Sequence, residues 1–290
     1  MARVGVVLKD TKILDYHRVS EIFENCLDSF SCNGPDQLDI VILDEFRSYV
    51  HLDETLGKLY NISREVLLTR SLHMLPINIY FESFDSNECH WDILFVSDEK
   101  DLSKFHYAEY KLFELPILKN VEVSTKYDGN GDQDKYEVSA LGGTFDHIHE
   151  GHKILLSIAS YLTSSRLIIG VTDQELLVNK KYKEYLENFD ERCNNVIAFL
   201  KVLKPTLKVE IVPLRDVCGP TGRVPEIQAL VVSRETIEGG KVVNKTRLEK
   251  GMKELDICVV NVLGGHDEDD WSEKLSSTDL RKIIKETSSA

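Results

Sequence analysis

Val138-Ser139-Ala140-Leu141-Gly142-Gly143-Thr144-Phe145-Asp146-His147-Ile148-His149-Glu150-Gly151-His152 is the stretch of this 290-residue chain whose reading decides the fold. Val138–Leu141 is an apolar run of strand length. Immediately after His152, the residues Ile154, Leu155, Ile158, Ala159 and Leu162 fall on one helical face. A strand, a tight glycine loop and an amphipathic helix in that order open a parallel βαβ unit. Gly142 and Gly143 let the backbone approach an anion closely, and Gly151 lets the helix start pack against it. The first turn of a helix carries unpaired N–H groups and the positive end of the dipole. His149 and His152, three residues apart at that start, project to the same side and suit phosphate oxygens.

Working outward, further apolar runs at Leu167–Val171, Val209–Val212, Ala229–Val232 and Ile257–Leu263 are separated by helical stretches, one with Val196, Ile197, Leu200 and Leu203 on a face. Strands alternating with helices predict a Rossmann-like parallel sheet, with ligands beyond the carboxyl ends of the strands. Residues 1–118 read as a smaller α/β domain of unknown role, with strand-like runs at Val4–Leu8, Ile40–Leu43, Ile77–Phe81 and Ile93–Val96 and helices around Val19–Leu27 and Leu56–Leu67. Its histidines (His17, His51, His73, His90, His106) have no ligand spacing. Residues 119–135 are polar and glycine-containing, a linker before the domain at 136–290. Within it Asp128, Asn130 and Asp132 imitate a calcium loop, but Gln133 stands where glycine is required and Ser139 where a glutamate belongs.

The formal charge of −14 argues against a protein that grips nucleic acid, since such binding neutralises many phosphates. A small anionic substrate needs only local basic groups. Six dispersed cysteines without a C-x-x-C pair read as reduced thiols. The N-terminus lacks a secretory pattern, and no apolar run approaches the roughly 20 residues of a membrane span. The expected address is the cytoplasm, with the nucleus left open, and no membrane association is expected.

A second motif, Lys274-Leu275-Ser276-Ser277-Thr278-Asp279-Leu280-Arg281, lies near the C-terminus. Ser276 with Asp279 fits a helix capping box. The added hydroxyls, amides and guanidinium are what a polyphosphate in transit requires. The three histidines at 147, 149 and 152 lack a cysteine or carboxylate to complete a tetrahedral set, so no metal-ligating residues are assigned.

G-G-T-F-D-x-x-H-x-G-H joined to S-S-T-x-x-R resembles the HxGH nucleotidylyltransferase superfamily. Asp216-x-x-Gly219-Pro220-Thr221, Ala229-Leu230-Val231-Val232-Ser233-x-Glu235-Thr236 and Asn244-Lys245-Thr246-Arg247 narrow the likeness. Over about 136–287 the chain is similar to the eukaryotic and archaeal phosphopantetheine adenylyltransferases, with a layout like the fungal members. The resemblance implies transfer of AMP from ATP to 4′-phosphopantetheine, giving dephospho-coenzyme A and pyrophosphate. It implies ATP contacts from Gly142, Gly143, Thr144, Phe145, His149, His152, Ser276, Ser277, Thr278 and Arg281. Acceptor contacts fall to Thr144, to Arg247 and to a bridging lysine, Lys180 in preference to Lys181. Mg²⁺ is expected on the nucleotide's own oxygens. The alternative within the same chemistry is nucleotidyl transfer to phosphoethanolamine, glycerol phosphate or nicotinamide mononucleotide. Animal relatives carry a fused dephospho-coenzyme A kinase; no G-x-x-x-x-G-K-[ST] loop occurs here, so that activity is not expected. The N-terminal domain is open to association with other enzymes of coenzyme A synthesis.

Overall fold

The computed structural model describes residues 2–30, 36–119, 131–261 and 276–288. The chain divides into two units, Met1–Arg47 with Glu54–Asn130, and Ser48–Asp53 with Gly131–Ala290. Residues 120–130 of the expected linker, with Asp128 and Asn130 of the calcium-loop imitation, lie outside the described residues, as do Cys32, Val262, Leu263, Lys274 and Leu275. Ser48–Asp53 groups with the second unit, which the reading of 1–118 as one block misses. There the Tyr49 N–H donates to Asp132 at 3.2 Å and Asp53 accepts from the Asn261 N–H at 2.8 Å.

The first unit holds β1 (Arg3–Leu8), α1 (Tyr16–Cys26), β2 (Gln37–Ile42), α2 (Tyr49–Thr69, from Glu54 onward), β3 (Ile77–Phe81), β4 (His90–Val96) and β5 (His106–Leu112). Its sheet is parallel, in the order β3-β2-β1-β4-β5. Four strands coincide with the apolar runs. The fifth, HYAEYKL, has no such run because it sits at the sheet edge, largely exposed. Asp39, fully buried, accepts from Arg3 Nε (2.6 Å), Gln37 Nε2 (2.7 Å), Asn78 Nδ2 (2.9 Å) and Trp91 Nε1 (3.0 Å). Four donors offset the desolvation of that carboxylate. Gly5 makes room for the arrangement, since a Cβ there would lie 2.6 Å from Leu94 and 2.8 Å from Trp91.

The second unit holds β6 (Tyr136–Gly143), α3 (Glu150–Leu162), β7 (Thr163–Thr172), α4 (Phe189–Leu203), β8 (Lys208–Leu214), β9 (Ala229–Ser233), α5 (Ile237–Glu249), β10 (Asp256–Val260) and α6 (Ser277–Ser288). Its sheet is also parallel, in the order β10-β9-β6-β7-β8. The expected Rossmann-like architecture is therefore present. Val138, Ala140, Ile168, Leu230, Val232 and Val243 form a buried core cluster. The apolar face read on α3 is buried. On α4, Val196, Leu200 and Leu203 are buried, but Ile197 is exposed. A capping box of Asn188 with Glu191 starts α4, with bonds of 2.9 and 3.0 Å. Strand order reverses between β6 and β9, so the crevice for ligands opens where β6 ends.

Gly5→Ala should destabilise the protein by about 1–3 kcal/mol through overpacking. A lower urea midpoint would show it; an unchanged one would mean that Trp91 and Leu94 can withdraw.

Candidate active site

The loop after β6 turns sharply, with Phe145 and His147 in left-handed backbone conformations (φ 53° and 44°). Non-glycine residues hold such angles only where their surroundings impose them. Phe145 is imposed by packing: its ring is fully buried, 5.3 Å from the ring of His152. A Cβ on Gly143 would come within 3.0 Å of that ring, which explains the glycine. Asp146, fully buried, accepts from the Glu187 N–H at 2.9 Å and is ion-paired with Arg281, while its carbonyl accepts from the Ser277 hydroxyl at 2.8 Å. The histidine loop and the serine helix, 131 residues apart in the chain at Asp146 and Ser277, thus meet at one aspartate. The His147 N–H donates to Glu187 at 2.7 Å, and its Nε2 donates to the Tyr185 carbonyl at 2.7 Å, which fixes a proton on that nitrogen.

His149 stands at the N-cap of α3 and His152 in its first turn, their rings 4.0 Å apart. Burial pushes His149 down to about 4 and holds His152 well below the usual imidazole range; His149 and the charge of Lys180 depress His152 further. Both rings are therefore neutral at pH 7. The Nδ1 atoms of both are enclosed without a hydrogen-bond partner. Such atoms are costly unless a ligand completes them. Asp279, in the first turn of α6, acts electrostatically on His149. Lys180 is exposed on the loop after β7 and its charge reaches His152, whereas the Lys181 carbonyl is held by Arg281 Nε at 3.0 Å.

Gly142, Gly143 and Thr144 lie at the carboxyl end of β6 and just beyond it. Thr172 Oγ1 donates to the Gly143 carbonyl at 3.0 Å. The Thr144 carbonyl accepts from Arg192 Nη1 at 2.7 Å, and the same nitrogen serves the Thr172 carbonyl at 2.9 Å. Arg192 is fully buried, and sequence reasoning missed it; the capping box just before it marked only the helix start. Ser276 and Asp279 form the expected cap, with the Ser276 hydroxyl 2.5 Å and its N–H 3.0 Å from Asp279. Thr278 Oγ1 accepts from Arg281 Nη2 at 3.1 Å. Arg281, expected to face ATP, is 1% exposed and turned to these protein partners. Asp146 and Glu187 were also unassigned; Asp146 lay within the motif, but nothing in its spacing marks a buried hub.

Arg247 is a correction. It is fully buried, and its guanidinium donates to the carbonyls of Lys253 (2.6 Å), Thr221 (2.6 Å), Val224 (3.1 Å), Pro225 (3.3 Å) and Ile227 (3.4 Å). Five bonds use all five donors of an arginine, leaving none for a substrate. Its helix position could not reveal this, because four of the five carbonyls come from residues 221–227, 20 or more positions away in sequence.

A doubly wound parallel sheet, a glycine and histidine loop at its switch point and a hydroxyl-bearing helix start joined to that loop define a nucleotidyltransferase of Rossmann-like fold. Residues 140–283 match the Cytidylyltransferase-like family. A phosphopantetheine adenylyltransferase of Saccharomyces cerevisiae is 50% identical over 264 residues, 87% of this chain and 85% of that protein. One from Pyrococcus furiosus is 36% identical over 129 residues, 44% of this chain and 79% of the relative. A crystal structure of a protein of unknown function from Archaeoglobus fulgidus covers 48% of this chain and 95% of its own, at 28% identity and a TM-score of 0.35. The chain belongs to the phosphopantetheine adenylyltransferase family.

Arg247→Lys should lose about 3 kcal/mol of stability by stranding buried carbonyls, while the KM for each substrate stays unchanged in the folded protein. A raised KM would restore the residue to the site. The histidines give a pH dependence. Their folded pKa values lie below the ordinary 6.5, so the unfolded chain binds more protons as the medium acidifies. Their contribution to stability is complete above about pH 6.5 and is lost as pH falls toward 4. The melting temperature should drop over that window, less steeply in His149→Gln; equal slopes would contradict the assignment.

Proposed function

We propose that this chain transfers the adenylyl group of ATP to 4′-phosphopantetheine, releasing pyrophosphate and forming dephospho-coenzyme A. The observation that carries the reading is the junction at Asp146, where the histidine loop and the serine helix are joined by the Ser277 hydroxyl bond and the Arg281 ion pair. Two anion-adapted helix starts converge there. Membership of the family supplies the acceptor.

The acceptor phosphate is an anion at neutral pH and attacks the α-phosphorus in line without a general base. Thr144 and the backbone beside it hold it against the end of β6, and Gly142 and Gly143 let the ATP phosphates approach the backbone. His149 and His152 donate N–H groups to the phosphates as neutral imidazoles, a role that suits their lowered pKa values. Lys180 bridges the two substrates, and the reach of its charge to His152 supports it over Lys181. Ser276, Ser277 and Thr278 form the start of α6, whose first-turn amides and Thr278 hydroxyl are offered to the β- and γ-phosphates, while the Ser276 and Ser277 hydroxyls hold Asp279 and the Asp146 carbonyl. Phe145 holds the His152 ring in place. The described residues include no group of three or more histidine, cysteine, aspartate or glutamate side chains suited to a metal. Mg²⁺ carried on the nucleotide's own oxygens would supply charge neutralisation.

The five cysteines among the described residues form no disulfide, in accord with a reducing, cytoplasmic setting. No helix among the described residues is long and apolar enough to cross a membrane.

The test is pyrophosphate release by the purified protein over a panel of nucleotides and acceptors. ATP with 4′-phosphopantetheine should be the productive pair; turnover confined to phosphoethanolamine, glycerol phosphate or nicotinamide mononucleotide would replace this reading. His152→Ala should lose about 10²-fold in kcat with the fold intact, and a near-normal rate would count against the site.

A further inference from the structure

Arg281 has partners that a phosphate ligand would not have. Its side chain is 2% exposed and lies against the fully buried Asp146, so the pair is nearly neutral as seen from the crevice. Its Nε donates to the Lys181 carbonyl at 3.0 Å and its Nη2 to Thr278 at 3.1 Å. One turn further along α6, Lys285 places its ammonium 5.2 Å from the centre of the Tyr182 ring, and Tyr182 is held left-handed at φ 54°. The far end of the same loop is tied to the residues after β6, through the Tyr185 carbonyl to His147 and the Glu187 N–H to Asp146. The segment 180–187 is therefore clamped between α6 and the histidine loop. Lys180 stands at its start, with its own N–H on the Leu177 carbonyl at 3.1 Å.

We propose that α6 is a clamp that couples ATP to the bridging lysine: Arg281, through the Lys181 carbonyl, and Lys285, through the Tyr182 ring, position Lys180 for transfer. Arg281 is thus a positioning residue and not a ligand of the triphosphate. Triphosphate oxygens at Ser276, Ser277 and Thr278 hold the start of α6, and α6 in turn holds the Lys180 loop. Binding of the first substrate thereby stiffens the group that must meet the second, a coupling that needs no large movement. The inference rests on the proposed ATP and Lys180 roles.

A double-mutant cycle tests it. Arg281→Lys keeps a charge for Asp146 but loses the planar fork that also reaches Lys181 and Thr278. It should lower kcat by about 10-fold or more, with the KM for ATP changed by less than about 3-fold, as for loss of an interaction made in the transition state. Combined with Lys180→Ala, it should cost less than about 3-fold further, because the residue it positions is gone. Lys285→Ala, at an exposed position, serves if Arg281→Lys fails to fold. It should lower kcat by about 2- to 5-fold, the effect of an exposed cation–π contact, and have no effect in the Lys180→Ala background. Losses that multiply in both backgrounds, or a KM for ATP that rises in step with the fall in kcat, would overturn the proposal. An activity-independent readout separates this from the acceptor assignment: the rate at which acetic anhydride modifies Lys180, followed by mass spectrometry. ATP should slow it in the wild type and slow it less in Arg281→Lys and Lys285→Ala, whichever acceptor the enzyme uses. Equal protection in all three proteins would overturn the clamp, whereas a wild type inactive with phosphopantetheine but showing the graded protection would overturn only the acceptor.

Discussion

A buried carboxylate without counter-charge costs several kcal/mol, and the second unit is organised around meeting that cost at Asp146. The side chain is shielded from water and compensated by the Arg281 guanidinium and the Glu187 N–H, while the carbonyl of the same residue holds Ser277. Three segments, the loop after β6, the loop after β7 and the start of α6, are brought to one point by these bonds. A contact of this kind specifies geometry more than it adds net stability, because the pair could be replaced by apolar groups but neither partner can be left alone. A triphosphate site requires that specification. Its donors must be placed before the charge develops, since donors that must reorganise during reaction lose most of their effect.

Three arginines in this unit, Arg192, Arg247 and Arg281, are almost wholly buried, and all three donate to backbone carbonyls. In an acidic chain with an anionic substrate, arginine is the obvious phosphate ligand, yet these act as braces. Arg192 spans the carbonyls of Thr144 and Thr172 and so sets the spacing of the β6 and β7 ends. A guanidinium suits this task because its fork reaches carbonyls from several segments at fixed angles. Burial lowers the pKa of Arg192 and Arg247, but both remain charged, as arginine does throughout the physiological range. The groups proposed to face the substrates are neutral imidazoles, hydroxyls, helix amides and the exposed Lys180. Binding then depends on short directional bonds more than on a broad positive field, which reconciles a net charge of −14 with a polyphosphate ligand.

Much of this was legible in the sequence, for identifiable reasons. The strands of both sheets that are covered on both faces show as apolar runs, and the amphipathic helices show by their period. The edge strand β5 does not, because exposure removes the pattern that would betray it. The glycine and histidine loop was legible because its residue types are unusual together. Asp146 and Arg192 were not assigned, and the burial of Arg281 was not foreseen, because their partners are brought near only by folding and the backbone carbonyls among them have no residue-type signature. The same cause explains Arg247. The Asp216–Thr221 and Asn244–Arg247 segments that narrowed the family resemblance pack on each other, with Arg247 bonded to the Thr221 carbonyl, Asn244 to the backbone of Leu255, and Asp216 accepting from the N–H groups of Cys218 and Gly219. These contacts brace the sheet domain.

The two sheets share one topology, yet the ends of their central strands have opposite chemistry. Counting strands from each unit's own start, both run 3-2-1-4-5, so both have a switch point beyond the first strand. In the first unit the N–H groups of Asp10 and Thr11, placed where an anion would sit, are taken by Asp44 at 2.8 and 2.7 Å. Lys9, the cation beside them, is paired with Asp101 at 3.0 Å and Asp98 at 3.5 Å. A carboxylate of the protein thus satisfies these N–H groups, and an anion bound to them would have to displace it. In the second unit the corresponding loop carries glycines and histidines, and the enclosed Nδ1 atoms of His149 and His152 have no protein partner. The difference between a brace and a site lies in whether the anion is covalently part of the chain or must be supplied from solution. By that criterion the loop of the second unit is open to a ligand's phosphates, whereas the corresponding donors of the first are already taken by a carboxylate.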